Sequence, residues 1–155
     1  MLVTCYAVRK IKEFSSHGDL LRELTLPDDV ISPWHAIQTR SGQFIVCHGE
    51  SDDSVHRVCM VSADGRHVVH SHGGQRGSRT DQYNRPSHLA VDDSDCVFVA
   101  DCVNARVKML TPTLQYVRTV VSTDQLKWLP RRLCLDTQRR LLYVAESRRV
   151  AVFSV

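Results

Sequence analysis

The sequence contains no long apolar run, and this absence limits what the chain can be. Its 155 residues include no stretch of about 18 consecutive apolar residues, the length that indicates a membrane-spanning helix. The N-terminus also lacks a charged segment followed by an apolar one, which is the pattern of a secretory signal. We therefore predict a cytoplasmic protein without a membrane partner.

Helical periodicity is the second feature that the sequence lacks. No stretch repeats apolar residues at i, i+3, i+4 and i+7, as a sustained helix requires. Instead, short β-branched and aromatic runs alternate with Gly, Asp, Asn, Ser and Pro, which are strand and turn signals. This pattern predicts an all-β fold.

One strand pattern returns at a nearly constant interval. A basic residue, an aliphatic residue, two variable residues and a large apolar residue follow one another in four places, starting at Lys10, Arg57, Arg106 and Arg149. These positions are 47, 49 and 43 residues apart, and a period of about 40 to 50 residues suits a four-stranded propeller blade. The repeat predicts a single incomplete propeller with approximate units 1–32 (partial), 33–85, 86–129 and 130–155 (partial).

The two complete units should each contain four strands. We expect them near 34–39, 43–47, 56–61 and 66–71, and near 87–92, 96–101, 105–111 and 115–120.

The connector before the third unit and the unit itself contain, in order, Gly73-Gly74-Gln75-Arg76-Gly77, Tyr83-Asn84-Arg85-Pro86, Leu89-Ala90-Val91-Asp92, Val97-Phe98-Val99-Ala100-Asp101 and Asn104-Ala105-Arg106-Val107. This series resembles an NHL repeat. The fourth unit matches at Leu142-Tyr143-Val144-Ala145-Glu146 but lacks the Asn, and the second departs further. The resemblance implies a partial β-propeller of four-stranded antiparallel blades, about three and a half NHL-type blades in an open arc.

Tripartite-motif proteins carry such propellers behind a RING finger, B-boxes and a coiled coil. In those proteins the propeller selects protein or RNA targets, and ubiquitin-ligase activity depends on a RING domain that this sequence does not contain. Since NHL propellers usually have six blades, we expect this chain to be a fragment of a longer protein. The partners would then be the missing blades of the parent chain or, alternatively, a second copy through self-association.

Histidines and cysteines are the residue types that could hold a metal. The six cysteines show no C-x-x-C spacing, so neither a zinc finger nor a thioredoxin-like motif is supported. His70 and His72 alternate along a predicted outer strand and could share a metal, but that strand is expected to be solvated. His35 and His88 follow the first proline of their units by two residues, which favours a structural or loop-facing role. We predict no metal and no cofactor.

Repeated sheets of this kind most often present a binding face, so we expect an interaction platform and not an enzyme. A protein partner is the first hypothesis, because Trp, Tyr and Arg dominate protein-binding hot spots. Single-stranded RNA is the alternative, since arginines with interspersed Trp34, Tyr83 and Trp128 could pair phosphates and stack bases. A propeller lyase or lactonase is a further alternative.

The candidate partner-binding residues lie in the loops that join the second strand to the third, and the fourth to the next blade. Loops held on rigid strands are where recognition usually occurs. No catalytic residue is predicted. The binding candidates are Asn84, Arg85, His88, Asn104, Arg106, Arg131, Arg132 and Arg148.

Overall fold

The computed structural model describes residues 1–50, 52 and 54–155. These residues form four antiparallel sheets. The first sheet contains β1 (Leu2–Cys5), β2 (Lys10–Phe14) and β3 (Leu20–Thr25), with a 3-10 turn at Tyr6–Val8. The second contains β4 (Pro33–Gln38), β5 (Phe44–His48), β6 (Val55–Val61) and β7 (Val68–Gln75).

The third and fourth sheets complete the chain. The third contains β8 (Pro86–Val91), β9 (Val97–Asp101), β10 (Arg106–Leu110) and β11 (Tyr116–Val121). The fourth contains β12 (Arg132–Asp136), β13 (Leu141–Ala145) and β14 (Val150–Ser154).

This architecture confirms the prediction of an all-β partial propeller. In each sheet the strands pair antiparallel in chain order, and β9 faces β10 with Asp101 opposite Arg106. The expected strands of the two complete blades agree with those observed to within a few residues. The part of the chain that the structure describes contains no α-helix, and hence no helix long enough to span a membrane.

The core is divided among the spaces between neighbouring blades. Within β5, Phe44 and Val46 pack toward the first blade, while Ile45 and Cys47 pack toward the third. Because alternate residues of a strand point to opposite faces, a strand between two neighbours must be apolar on both. All five residues of β5 and of β9 are accordingly buried.

The innermost strands of the blades set the position of the loops. β8 contacts both β4 and β12, which places these three first strands next to one another along the inner edge of the arc. The ends where these strands begin lie beside the ends of β5, β9 and β13. We use the term loop face for this end of the arc, which carries the loops named above as binding candidates.

Candidate functional site

A cavity of about 590 Å³ opens on the loop face between the second, third and fourth blades. We call it the arginine cavity, because three guanidinium groups contribute to its wall. Its lining residues are Trp34, Arg85, Ser87, Cys102, Arg131, Arg132, Ala145, Glu146 and Ser147. Three of the predicted binding residues are therefore brought together in one site.

Backbone contacts hold Arg85 at the edge of this cavity. Its φ of 55° is in the left-handed region, its N–H donates to Nδ1 of His56 (2.8 Å) and its carbonyl accepts from the N–H of Cys102 (3.2 Å). The side chain forms an ion pair with Glu50 (2.9 Å) and lies over the ring of Trp34, 5.4 Å from its centroid. Much of the charge of Arg85 is thus compensated within the protein.

Arg131 and Arg132 carry the uncompensated charge of the cavity. The N–H of Arg131 donates to the carbonyl of Ala145 (2.8 Å), and its Nε lies 3.4 Å from the Ser147 hydroxyl. Arg132 donates to the carbonyl of Arg131 (2.9 Å). Among the described residues, no carboxylate oxygen lies within 4.0 Å of a guanidinium nitrogen of Arg131 or Arg132. The cavity is therefore electropositive.

Glu146 lines the cavity but is neutralised by its own partners. One carboxylate oxygen accepts from Nε of Arg149 (2.7 Å), and the other accepts from the backbone N–H groups of Lys127 (2.9 Å) and Trp128 (2.5 Å). Its side chain is fully buried. The acid consequently fixes the loop before the fourth blade and leaves the positive charge of the cavity unbalanced.

An apolar groove adjoins the arginine cavity. It has a volume of about 350 Å³ and shares Ser147 with the cavity. Trp128 and Leu129 form its exposed wall, with 44% and 36% of their surface accessible, and the guanidinium of Arg148 lies 5.2 Å from the Trp128 ring centroid. The loop face thus offers charged and apolar contacts side by side.

Asn84, Asn104 and Arg106 form a network around Asp101. The buried Asp101 carboxylate accepts from the backbone N–H of Asn84 (2.8 Å), from Nδ2 of Asn104 (2.9 Å) and from Nε of Arg106 (2.7 Å). Arg106 also donates to the carbonyls of Ser78, Arg79 and Gln82. The side chains of Asn104 and Arg106 are committed to internal bonds, and Asn84 takes part through its backbone N–H, so the role of these residues in partner binding stays a prediction.

His88 and His35 stack on each other at the inner edge, with ring centroids 3.7 Å apart. Nδ1 of His35 accepts from the N–H of Leu89 (3.3 Å), and Nδ1 of His88 accepts from the N–H of Leu133 (3.2 Å). Each imidazole thereby joins one blade to the next. Burial, followed by the charge of Arg132, lowers the pKa of His35 to about 4. Burial, followed by the neighbouring His35 and Arg132, lowers the pKa of His88 to about 3.

Two aromatic residues expected on the surface are used internally. Tyr83 is fully buried, its hydroxyl bonds to Nδ1 of His72 (2.9 Å), and the Lys108 ammonium lies 4.1 Å from its ring centroid. His72 therefore has a structural partner. No group of three metal-ligating side chains occurs among residues 1–50, 52 and 54–155. This burial could not be predicted from the sequence, because Tyr83 lies in a polar connector.

No protein-family model matches the chain, and no curated protein matches it by sequence. Solved structures do match its fold. A gluconolactonase from Xanthomonas campestris is 16% identical with a TM-score of 0.71, and the match covers 99% of this chain and 54% of that one. A streptogramin B lyase is 12% identical (TM-score 0.62; 99% and 53%). The virginiamycin B lyase from Staphylococcus aureus is 12% identical (TM-score 0.61; 97% and 50%). The chain thus spans about half the length of these structures.

These neighbours contradict the prediction that the chain is not an enzyme. That prediction assumed that a repeated sheet architecture favours binding, yet the same arc of sheets occurs in a lyase and a lactonase. At 12% to 16% identity the likeness shows the fold alone. It supports a β-propeller and leaves the NHL and tripartite-motif resemblance as an inference from sequence.

Proposed function

We propose that the chain is an interaction platform whose loop face binds an acidic segment of a protein partner, within a longer cytoplasmic protein of the NHL and tripartite-motif type. The observation that carries the proposal is the convergence of Arg85, Arg131 and Arg132 in one cavity. Guanidinium groups pair well with carboxylates because two parallel N–H groups match two oxygens. Arg131 and Arg132 are available for such pairing.

The adjoining apolar groove supports a protein partner over a nucleic acid. Trp128 and Leu129 offer an apolar contact beside the guanidinium groups, and aromatic anchors next to arginines are typical of protein-binding hot spots. A peptide with acidic residues followed by a large apolar residue would fit both features.

The aromatic side chains of the loop face give less support to single-stranded RNA. Base stacking requires an exposed aromatic ring. Tyr83 is fully buried, and the rings of Trp34 and Trp128 each carry an arginine within 5.4 Å and 5.2 Å. Trp128 is then the exposed ring that could stack a base, so RNA binding would depend mainly on phosphate contacts, and we treat it as an outcome of the test.

Charge reversal at two residues tests the proposal. We would measure binding of a fluorescent peptide with adjacent glutamates and a leucine, using the Arg131→Glu/Arg132→Glu variant. Two repelling carboxylates should abolish binding, while the melting temperature changes little because exposed substitutions cost little stability.

The matched control is the Arg66→Glu/Arg139→Glu variant on the opposite turns. These arginines are also exposed and each lies near one aspartate, Asp64 and Asp136. The control should bind the peptide as the unchanged chain does. Equal binding by both variants, or loss only in the control, would place the interaction elsewhere and refute the proposal.

A lyase or lactonase activity is the second candidate, and the fold likeness to enzymes favours it. Incubation of the chain with a streptogramin B antibiotic or with gluconolactone, followed by mass spectrometry, tests it directly. Catalytic turnover would establish an enzyme whatever the peptide experiment shows.

A further inference from the structure

The inner edge of the arc carries two histidine donors that the peptide-binding proposal does not use, in register with Arg132, which that proposal does use. His35, His88 and Arg132 occupy the same register position in three successive first strands, opposite Cys47, Ala100 and Ala145. We propose that these three side chains form a binding site for a small oxyanion, a phosphate or a carboxylate. We call it the inner-edge site.

The tautomer of the two histidines supports this proposal. Nδ1 of each ring accepts a backbone N–H from the next blade, so Nδ1 carries no proton. A neutral imidazole has one protonated nitrogen, and Nε2 must therefore be the donor in both rings. A protonated Nε2 cannot ligate a metal, whereas it can donate to an anion.

Both donors are accessible. No residue among 1–50, 52 and 54–155 forms a hydrogen bond with Nε2 of His35 or His88. Neither Nε2 is among the buried side-chain nitrogens that lack a hydrogen-bond partner within those residues, so the two Nε2 atoms reach solvent. The two rings are stacked, with centroids 3.7 Å apart and an interplanar angle of 21°. Each ring turns its Nδ1 edge to the next blade. The Nε2–H groups of the two rings therefore lie side by side.

Arg132 adds positive charge to the same site. Its guanidinium is close enough to contribute to the lowered pKa of both histidines, and no described carboxylate pairs with it within 4.0 Å. Two neutral donors beside a guanidinium match the several acceptor lone pairs of an oxyanion, and hydrogen bonds that involve an ionised group are the stronger ones.

Nitrogen-detected NMR of the histidine side chains tests the proposal on the full chain. The resonances of His35 and His88 should show the Nε2–H tautomer and should shift saturably on titration with inorganic phosphate or with succinate. Tighter phosphate binding would identify a phosphate-bearing ligand, and tighter succinate binding a carboxylate. The exposed His17 and His70 serve as internal controls and should not shift.

Two variants separate binding from structure. His88→Asn keeps an acceptor where Nδ1 lies and removes the Nε2 donor, and Arg132→Gln removes the charge. Each should weaken anion binding at least about tenfold with little change in melting temperature, while the exposed Arg66→Gln should have no effect. His88→Asn should also retain binding of the acidic peptide, which separates failure of this proposal from failure of the proposed function.

Three results would overturn the inner-edge site. These are an Nδ1–H tautomer in either histidine, absence of a saturable shift with both anions, and unchanged binding in both His88→Asn and Arg132→Gln. Equal shifts in His17 and His70 would likewise show general ionic screening in place of a site.

Discussion

Arg57, Arg106 and Arg149 occupy the same place in their blades, at or near the start of the third strand. Nε of each donates to the residue at the end of the second strand or just after it: His48 (2.9 Å), Asp101 (2.7 Å) and Glu146 (2.7 Å). Arg131 and Arg132 lie outside this repeated position. Arginines in the repeated position therefore hold the blades together, while those outside it can meet a partner.

Removal of Arg106, the ion-pair partner of Asp101, should destabilise the third blade. In Arg106→Ala a fully buried carboxylate would lose its only guanidinium, and breaking a buried pair costs about 3 kcal/mol or more. The matched control is Arg79→Ala, since Arg79 pairs with Asp81 in a largely exposed position, and its loss should cost much less because exposed ion pairs add little stability. Urea unfolding of both variants measures the difference. A similar cost in both would contradict the structural role of Arg106.

The stacked histidines should make the protein sensitive to acid. Folding lowers the pKa of His35 to about 4 and of His88 to about 3, whereas unfolded histidine titrates near pH 6.5. As the pH falls, these two histidines therefore bind protons at a higher pH in the unfolded chain than in the folded protein. The histidine contribution to stability is present above about pH 6.5 and is lost as the pH falls toward 4.

Chemical unfolding between pH 7.5 and 4 checks this expectation. The His35→Asn/His88→Asn variant keeps the acceptors without a titrating group, so its stability should fall less over this range. A control variant, His17→Asn/His70→Asn, alters two exposed histidines and should follow the unchanged chain. Equal slopes in all three proteins would show that the stacked pair does not control acid stability.

Strands and turns are the elements that could be predicted from the sequence. The apolar runs at 44–47 and 97–100 indicate strands buried on both faces, and aspartates at the equivalent positions 92 and 136 are typical of turns. Asp92 does accept from the N–H groups of Ser94 and Cys96, and Asp136 from that of Arg139. Local patterns sufficed because each of these bonds is local.

The arginine cavity could be predicted only in part. Arg85, Arg131 and Arg132 could be chosen as candidates because they lie in loops. The ion pair of Arg85 with Glu50 could not be predicted, because it joins two loops that are distant in sequence. The burial of Tyr83 beneath Lys108 likewise depends on long-range packing. Cys134 lies within β12 and is exposed on the last sheet, which likewise depends on how the blades are arranged and not on local sequence.

The end of β7 depends on a glycine. Gly73 has a φ of 103°, and an added Cβ would lie 2.7 Å from the carbonyl oxygen of His56 and 2.8 Å from the Tyr83 ring. Gly18 also has a positive φ, of 90°, but open space around it. Gly73→Ala should therefore be less stable than Gly18→Ala by about 1 to 3 kcal/mol, as measured by thermal or urea unfolding. Equal costs would mean that β7 can move away from the new methyl group.

Among residues 1–50, 52 and 54–155, the fourth sheet has an apolar face that no neighbouring blade covers. Val150 and Val152 on β14 have 59% and 51% of their surface exposed, whereas β9 of the third blade is fully buried between neighbours. Such faces promote association. We expect the chain to self-associate as its concentration rises.

Sedimentation velocity at several concentrations measures this tendency. Val150→Lys/Val152→Lys should shift the distribution toward the 17.6 kDa species. Val117→Lys, at a valine that is 45% exposed on an outer strand, should not. A clean monomer of the unchanged chain at all concentrations would contradict the expectation.

We propose that the loop face binds an acidic protein segment, and the salt dependence of binding distinguishes such a segment from RNA. The measurement is the affinity of the chain for the glutamate-leucine peptide and for single-stranded RNA, each by fluorescence anisotropy over a range of salt concentrations. We expect the peptide to bind more tightly, with a shallow salt dependence because the apolar groove contributes. Tighter RNA binding with a steep loss of affinity in salt, as counterion release produces, would contradict the account.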